Sequence, residues 1–316
     1  MSSQEVQLLT LYSSASPFRK DSDSGRSRNP SIKTNQPCSR HHHFRSSRKI
    51  NRISSSRHPE VTSPVPRVGN RRCVCYDLHK ELVPYKSAWD WQREVVGLRK
   101  ELASKDVDFE DTLMVLQHCP VYTMGTGSKQ DFLKFDVSNA PYDLYRTERG
   151  GEVTYHGPGQ LVMYPIMNLR YHKMDLHWYL RALEEVIMRA LSSSFSIKSS
   201  RLEDFTGVWV DDQKVAAIGV RVSKWVSFHG LALNVTTDLT PFKQIVPCGI
   251  RNREVGSIKN LLAETSTTKY TDSQIIEIAH NALIKEFSGV FQLELEMIHN
   301  SMHDLLPQKS VSLNPI

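Results

Sequence analysis

The chain has 316 residues, 39% of them hydrophobic and 23% charged, with 15 Gly and 15 Pro, an ordinary globular composition that excludes collagen-like, coiled-coil and disulfide-scaffold classes. Its formal charge of +6 divides unevenly: residues 1–72 hold 14 Lys and Arg against 4 acids, and residues 73–316 hold 26 against 30. The basicity that would point to a nucleic-acid partner therefore sits only in the N-terminal quarter, and no run approaches the ~18–20 apolar residues of a membrane span.

Residues 1–72 contain 16 Ser, no Trp, scattered Arg and too few large aliphatics to form a core face, so disorder is expected there. A Ser- and Arg-rich, acid-poor leader has the composition of an organelle transit peptide and lacks the apolar centre of a secretory signal. Continuous Ser, and no Arg-rich amphipathic helix at the extreme start, favour a plastid over a mitochondrion. An RNA-binding arm and a phosphorylated regulatory tail are the other readings of this composition. Residues 305–316 read as a disordered tail, which leaves residues 73–304 as one domain. The five cysteines (Cys38, Cys73, Cys75, Cys119 and Cys248) are odd in number. Cys73 and Cys75 have no second pair or nearby His to complete a zinc site, and the other His are dispersed, so reduced thiols and no metal are expected.

Within the domain, Ala88–Ser104 places Trp91, Val95, Val96, Leu98 and Leu102 near helical spacing. Thr112–Val121 reads as one buried strand stopped by Pro120. Glu152–His156 and Leu161–Leu169 read as two strands joined by the tight turn Gly157-Pro158-Gly159. Leu176–Leu191 is a strong helix. Four β-rich runs follow: Gly207–Val210, Val215–Val222, Val226–Phe228 and Leu231–Val235. Ser273–Phe287 is a further helix. This order predicts an α+β (α/β) fold with a mixed or antiparallel sheet flanked by helices. The lack of a strand–G-x-G-x-x-G–helix unit counts against a Rossmann fold.

Three stretches ask for more than a structural explanation. Arg149-Gly150-Gly151-Glu152-Val153-Thr154-Tyr155-His156-Gly157-Pro158-Gly159-Gln160 has four glycines beside strand sequence, which suggests backbone approached closely by another group; a hairpin with glycine turns and a surface Arg is the plainer reading. Lys214 opens the apolar strand Val215-Ala216-Ala217-Ile218-Gly219-Val220, where a solvated strand-end lysine is the common outcome. Cys248 lies between Pro247 and Gly249, in an exposed turn or as a small buried thiol. A free cysteine with a pKa of about 8.5 is only a few per cent thiolate near neutrality, so reactivity there requires a nearby cation.

These blocks, in this order, closely resemble the octanoyltransferase (lipoyl(octanoyl) transferase) family: RGGEVTYHGPGQLVMYPI (149–166), TGVWVDDQKVAAIGVRV (206–222), FHGLALNV (228–235) and IVPCGI (245–250). With the leader, the chain resembles a plant, plastidial member. The resemblance covers residues 76–300 and implies the biotin/lipoate protein ligase catalytic-domain fold. It implies transfer of an octanoyl chain from acyl carrier protein to a lysine of lipoyl domains, such as those of 2-oxoacid dehydrogenase E2 subunits or the glycine cleavage H protein, as the first step of lipoyl cofactor assembly. No cofactor, nucleic acid or membrane is implied, and family members are monomers.

Carried over by position, Cys248 matches the nucleophile that forms an acyl-thioester, and Lys214 the lysine that favours its thiolate and shuttles protons. Arg149, Gly150, Gly151, Glu152, Val153, Thr154, Tyr155 and His156 match the first substrate-binding strand. Ala217, Ile218 and Gly219 match the second, and Gly230, Leu231 and Ala232 the third, with Ile218 and Leu231 expected to line an acyl tunnel. His156 is either a group that orients the thioester carbonyl or relays a proton, or a satisfied core histidine. An ATP-dependent lipoate or biotin ligase of the same fold is the alternative; it does not require the Pro-Cys-Gly thiol.

Overall fold

The structure is a computed structural model that describes residues 70–203, 205–249, 253–265 and 270–298. Cys38, the C-terminal tail and all but the last three residues of the leader lie outside them. In chain order the elements are β1 (Arg71–Val83), α1 (Tyr85–Ser104), β2 (Asp111–His118), β3 (Val121–Met124), β4 (Asp143–Arg146), β5 (Val153–His156), β6 (Gln160–Ile166), α2 (Leu176–Phe195), β7 (Ser200–Leu202), β8 (Phe205–Val210), β9 (Gln213–Ser223), β10 (Val226–Asn234), β11 (Glu254–Val255), α3 (Ile258–Thr265), α4 (Asp272–Phe291) and β12 (Leu293–Ile298).

Nine of the described strands form one mixed sheet in the order β12-β1-β2-β6-β10-β9-β8-β7, with β11 pairing β9. β1 runs parallel to both β12 and β2, and from β2 to β7 the neighbours are antiparallel. A second sheet has the order β4-β3-β5. This is the α+β, mixed-sheet architecture that the element order predicts. Leu183 and Ile187 of α2 and Leu283 and Phe287 of α4 pack on one face of the large sheet against Val115, Leu161 and Leu233. Trp91 and Val96 of α1 pack on the other, against Met114, Val162 and Phe228. Strands β2, β6 and β10 are buried along their whole length, as strands covered on both faces must be. Each large aliphatic buried this way contributes about 1.5–3 kcal/mol.

Two of the described helices, α2 and α4, start at side-chain caps. Asp175 accepts the Trp178 amide at 3.0 Å at the start of α2. Thr271 and Gln274 satisfy each other's backbone amides at the start of α4. No helix among the described residues is long and apolar enough to cross a membrane.

The structure corrects four boundaries. β1 begins at Arg71, two residues inside the expected leader: a basic residue belongs to a strand when its charge is paired, and the Arg71 guanidinium meets Asp111 at 2.8 Å and Asp108 at 2.9 Å. Thr112–Val121 is two strands in two sheets, because Pro120 has no N–H to continue a ladder. The turn Gly157-Pro158-Gly159 closes no hairpin; β5 pairs β3 in the small sheet, whereas β6 pairs β2 and β10 in the large one. The two runs around His229 form the single strand β10, whose His229 amide donates to the Gln92 side chain of α1 at 2.9 Å.

Candidate active site

The turn that crosses from β5 to β6 places the small sheet beside the large one, and the site lies where they meet. After β10 a 3₁₀ turn at Thr240–Gln244 puts Phe242 and Ile245 into a cluster with Tyr122, Met124, Val153 and Tyr155 of the small sheet. Tyr122 donates to Pro241 O at 2.9 Å, and the Val246 amide donates to Phe132 O at 2.7 Å. Beyond the Cys248 turn, β11 pairs with β9 so that Val255 faces Lys214. The turn is thus tied down on both sides. Cys248 itself has φ 54° and ψ 21°, a left-handed conformation that costs a non-glycine residue about 1–2 kcal/mol and is sustained by those anchors.

Lys214 enters from β9, just after the Asp211-Asp212 turn that joins it to β8. It is only 8% exposed, so it is not the solvated strand-end lysine that its position suggested. Its Nζ donates to Cys248 Sγ at 3.1 Å. Residues 34 apart in sequence meet because one sits on a sheet strand and the other on the turn clamped over that strand.

A small, partly open pocket lies at this pair. Among the residues singled out from sequence, Thr154, Lys214, Ala217, Ala232 and Cys248 line it; Gln160, Asn234, Phe242 and Val255 also line it and were not singled out. Ala217 and Ala232 are direct cross-strand partners. Ile218 and Leu231, expected along the tunnel, instead lie in the core packed by α2 and α4; Ala216, on the same side of β9 as Ile218, belongs to that core and still reaches the pocket. Gly219 and Gly230 share the alanines' face, and the Gly230 position is crowded by Met163 O of β6, so backbone rather than an open channel occupies it.

The first block is mostly scaffold for this pocket. Arg149 is buried, and its Nη2 donates to Thr123 O at 2.8 Å, Thr123 Oγ1 at 2.9 Å and Glu152 O at 2.9 Å; burial lowers its pKa. The Gly150 amide donates to Val220 O of β9, and Gly151 turns with φ 84°. Glu152 lies against Gly249; burial raises its carboxyl pKa, with one oxygen buried and unbonded. Val153 and Tyr155 belong to the small-sheet cluster. His156 is buried, with Nδ1 2.6 Å from Gln160 Oε1. Burial, and then the neighbouring His118, hold its pKa well below the ordinary histidine value. Gln160 donates to Asn234 Oδ1 at 2.8 Å, and Asn234 to Gly256 O at 3.0 Å. His156 therefore stands behind the pocket, joined to it through Gln160.

The histidines are less dispersed than their sequence positions suggest. Asp77 of β1 lies between His79, 2.6 Å away, and His280 of α4, 3.1 Å away, with the two imidazoles stacked at 3.7 Å. Their potential ligand atoms lie within 4.8 Å of one another. Burial is the largest single influence on the His79 pKa and lowers it, but the hydrogen bonds and charges of Asp77 and Glu277 together raise it. Cys73 and Cys75 are free and buried in the core.

The lipoyl protein ligase A/B catalytic domain matches residues 84–279. The chloroplastic octanoyltransferase LIP2p2 of Arabidopsis thaliana is 59% identical over 261 residues, 82% of this chain and 92% of that protein. An octanoyltransferase of a Nostoc species is 47% identical over 223 residues, 71% of this chain and 94% of its own. The structure of the bipartite lipoate protein ligase of Thermoplasma acidophilum has the same fold, with a TM-score of 0.54 at 17% identity over 75% of this chain and 90% of that one. By its catalytic domain and by its identity to these relatives over most of its length, the chain belongs to the lipoyl protein ligase A/B catalytic-domain family, among the octanoyltransferases.

Proposed function

We propose that the protein carries an octanoyl group from the thioester of an acyl carrier protein to a lysine of a lipoyl domain, and that Cys248 holds the group between donor and acceptor. The single observation that carries this reading is the 3.1 Å contact of Lys214 Nζ with Cys248 Sγ at the pocket.

An ammonium at that distance in a partly dry site favours the thiolate, the nucleophilic form of cysteine. The Cys248 thiolate attacks the donor carbonyl, the carbon–sulfur bond to the carrier breaks, and Lys214 gives its proton to the departing carrier thiolate. The product is a thioester on Cys248, so this exchange is nearly isoenergetic. Lys214, now neutral, accepts a proton from the incoming amine as that amine attacks the Cys248 thioester. An amide forms, Cys248 leaves as a thiolate and Lys214 is again an ammonium. Atoms and charge balance without ATP or a cofactor. Ala217, Ala232, Phe242 and Val255 give the pocket an apolar lining against which an acyl chain is expected to lie.

Intact-mass measurement after mixing the protein with octanoyl-carrier protein, without ATP, tests this. The expected result is an octanoyl adduct that hydroxylamine removes, and none on Cys248→Ser. An adduct that persists on Cys248→Ser, or acyl transfer only when ATP and free octanoate are supplied, overturns it; the second result would favour the ligase alternative.

The leader ahead of β1, residues 1–69 of the 1–72 read from composition, acts as a cleavable plastid address, and residues 305–316 act as a tail outside the catalytic domain. The Ser- and Arg-rich composition and the chloroplastic relative support this. Residues 1–72 fused to a fluorescent protein are expected to enter isolated chloroplasts; uptake by mitochondria alone would assign the other organelle.

A further inference from the structure

We propose that Gly207 and Trp209 of β8 form a slot that aims the Lys214 ammonium at Cys248, making both positioning residues for acyl transfer. The proposal rests on the reading of Lys214 and Cys248 given above.

A lysine has a long, freely rotating stem, and a strand alone does not hold its tip on one sulfur. Here the stem is confined on two sides. Gly207 has φ 133°, backbone that L side chains avoid. A Cβ on it would stand 2.5 Å from Lys214 Cε and 3.2 Å from Nζ, so the lysine fills the space a side chain would take. Trp209 is the cross-strand partner of Lys214 and is fully buried. The ammonium lies 5.5 Å from the centre of its ring, within the range of a cation–π contact. A register shift between Val208 and Trp209 lets both residues of β8 address the same lysine.

The slot has its own support. Glu184 of α2, 1% exposed, accepts the Gly207 amide at 2.9 Å through Oε1. Its Oε2 takes Arg181 at 2.8 Å and Arg201 at 3.1 Å. The helix therefore fixes the strand backbone at the point where the lysine crosses it. Arg253 also lies 5.5 Å from the Trp209 ring and pairs with Asp212; a control must separate its contribution from that of Lys214.

The experiment is single-turnover acylation of Cys248 by octanoyl-carrier protein, using the full chain and saturating donor. Trp209→Leu is expected to slow acylation about tenfold or more, with half-saturation by donor unchanged within about twofold, because orientation rather than binding is lost. Trp209→Phe, which keeps a ring, restores the rate to within about threefold. In a Lys214→Met background Trp209→Leu costs less than about twofold, since its effect passes through the lysine. Arg253→Gln stays within about twofold of the parent.

An equal loss from Trp209→Leu with and without Lys214, or no loss with Lys214 present, overturns the proposal, as does an Arg253→Gln loss as large as that of Trp209→Leu. If Trp209→Leu does not fold by circular dichroism, Trp209→Phe in both backgrounds decides: a slowing of about two- to threefold only when Lys214 is present supports the slot, and an equal effect in both backgrounds removes it. A parent protein that forms no acyl adduct refutes the reading of Cys248 itself. An adduct that forms at a rate indifferent to Trp209 refutes only the slot.

Discussion

The carbonyl oxygen of Gly150 lies 2.8 Å from where a Cβ on Gly219 would stand, while the Gly150 amide donates to Val220 O at 2.9 Å. The first glycine block therefore rests on β9 one pleat away from Ala217, which lines the pocket. The crowding atom is backbone and cannot swing aside. Gly219→Ala is expected to cost about 1–3 kcal/mol in urea unfolding, as overpacking does, and to lower acyl transfer. Gly97, in α1, has nothing within 4 Å of its added Cβ; Gly97→Ala should instead gain about 0.4–1 kcal/mol. Equal effects at the two sites would contradict this account.

Lys214 is buried beside sulfur and indole, without a carboxylate partner in the described contacts. An ammonium buried without a carboxylate partner is costly to desolvate, and an apolar group of similar length removes that cost. Lys214→Met should therefore keep or raise the thermal midpoint while acylation of Cys248 falls by about 10²-fold or more, the usual scale of lost proton-transfer catalysis. Calorimetry and adduct formation measured on one preparation separate the two effects.

His118 is fully buried, with Nδ1 2.8 Å from Val83 O and Nε2 2.7 Å from Tyr164 Oη. Burial lowers its pKa from 6.5 to about 4. Between those values the unfolded chain takes up a proton that the folded protein does not. The stability this residue contributes is therefore complete above pH 6.5 and is lost as pH falls towards 4, up to about 3 kcal/mol. His118→Asn can still donate to Val83 O but does not titrate, so its urea midpoint should fall less steeply across that window. Parallel pH profiles for the two proteins would sink the assignment.

Arg71 and His172 both meet the fully buried Asp111, at 2.8 and 2.6 Å, and Asp111 also accepts the Asn168 amide at 2.8 Å. Removing one partner from such a group leaves uncompensated charge, at a cost of about 3–5 kcal/mol. A chain that begins at Asn70 should unfold at the same urea concentration as the full chain. One that begins at Cys73 should unfold well below it, and Arg71→Met should reproduce most of the loss.

The fold class and the helices were readable because their signals are local, in runs such as Ala88–Ser104, Leu176–Leu191 and Ser273–Phe287. β1 and β12 gave weaker signals. They pair in parallel although more than two hundred residues separate them, and β1 mixes charged with apolar residues that become acceptable only when Arg71 finds Asp111. Among the site residues, the Pro247-Cys248-Gly249 turn and Lys214 stand out in the chain by type and neighbours. Gln160, Asn234 and Phe242 do not, since an amide or aromatic in a strand has many uses.

The amino-acid order by itself determined the elements, the basic leader and which residue types carry chemistry, because backbone propensity and side-chain chemistry are properties of short stretches. Only the tertiary structure decided that Pro120 and the Gly157–Gly159 corner divide neighbouring strands between two sheets, that Gly207 and Trp209 flank the lysine stem, and that an ammonium and a sulfur 34 residues apart come within 3.1 Å. The reason is physical: contact between distant residues arises when the burial of whole faces sets strand order and anchors the turns, and that free energy belongs to the assembled core rather than to any segment.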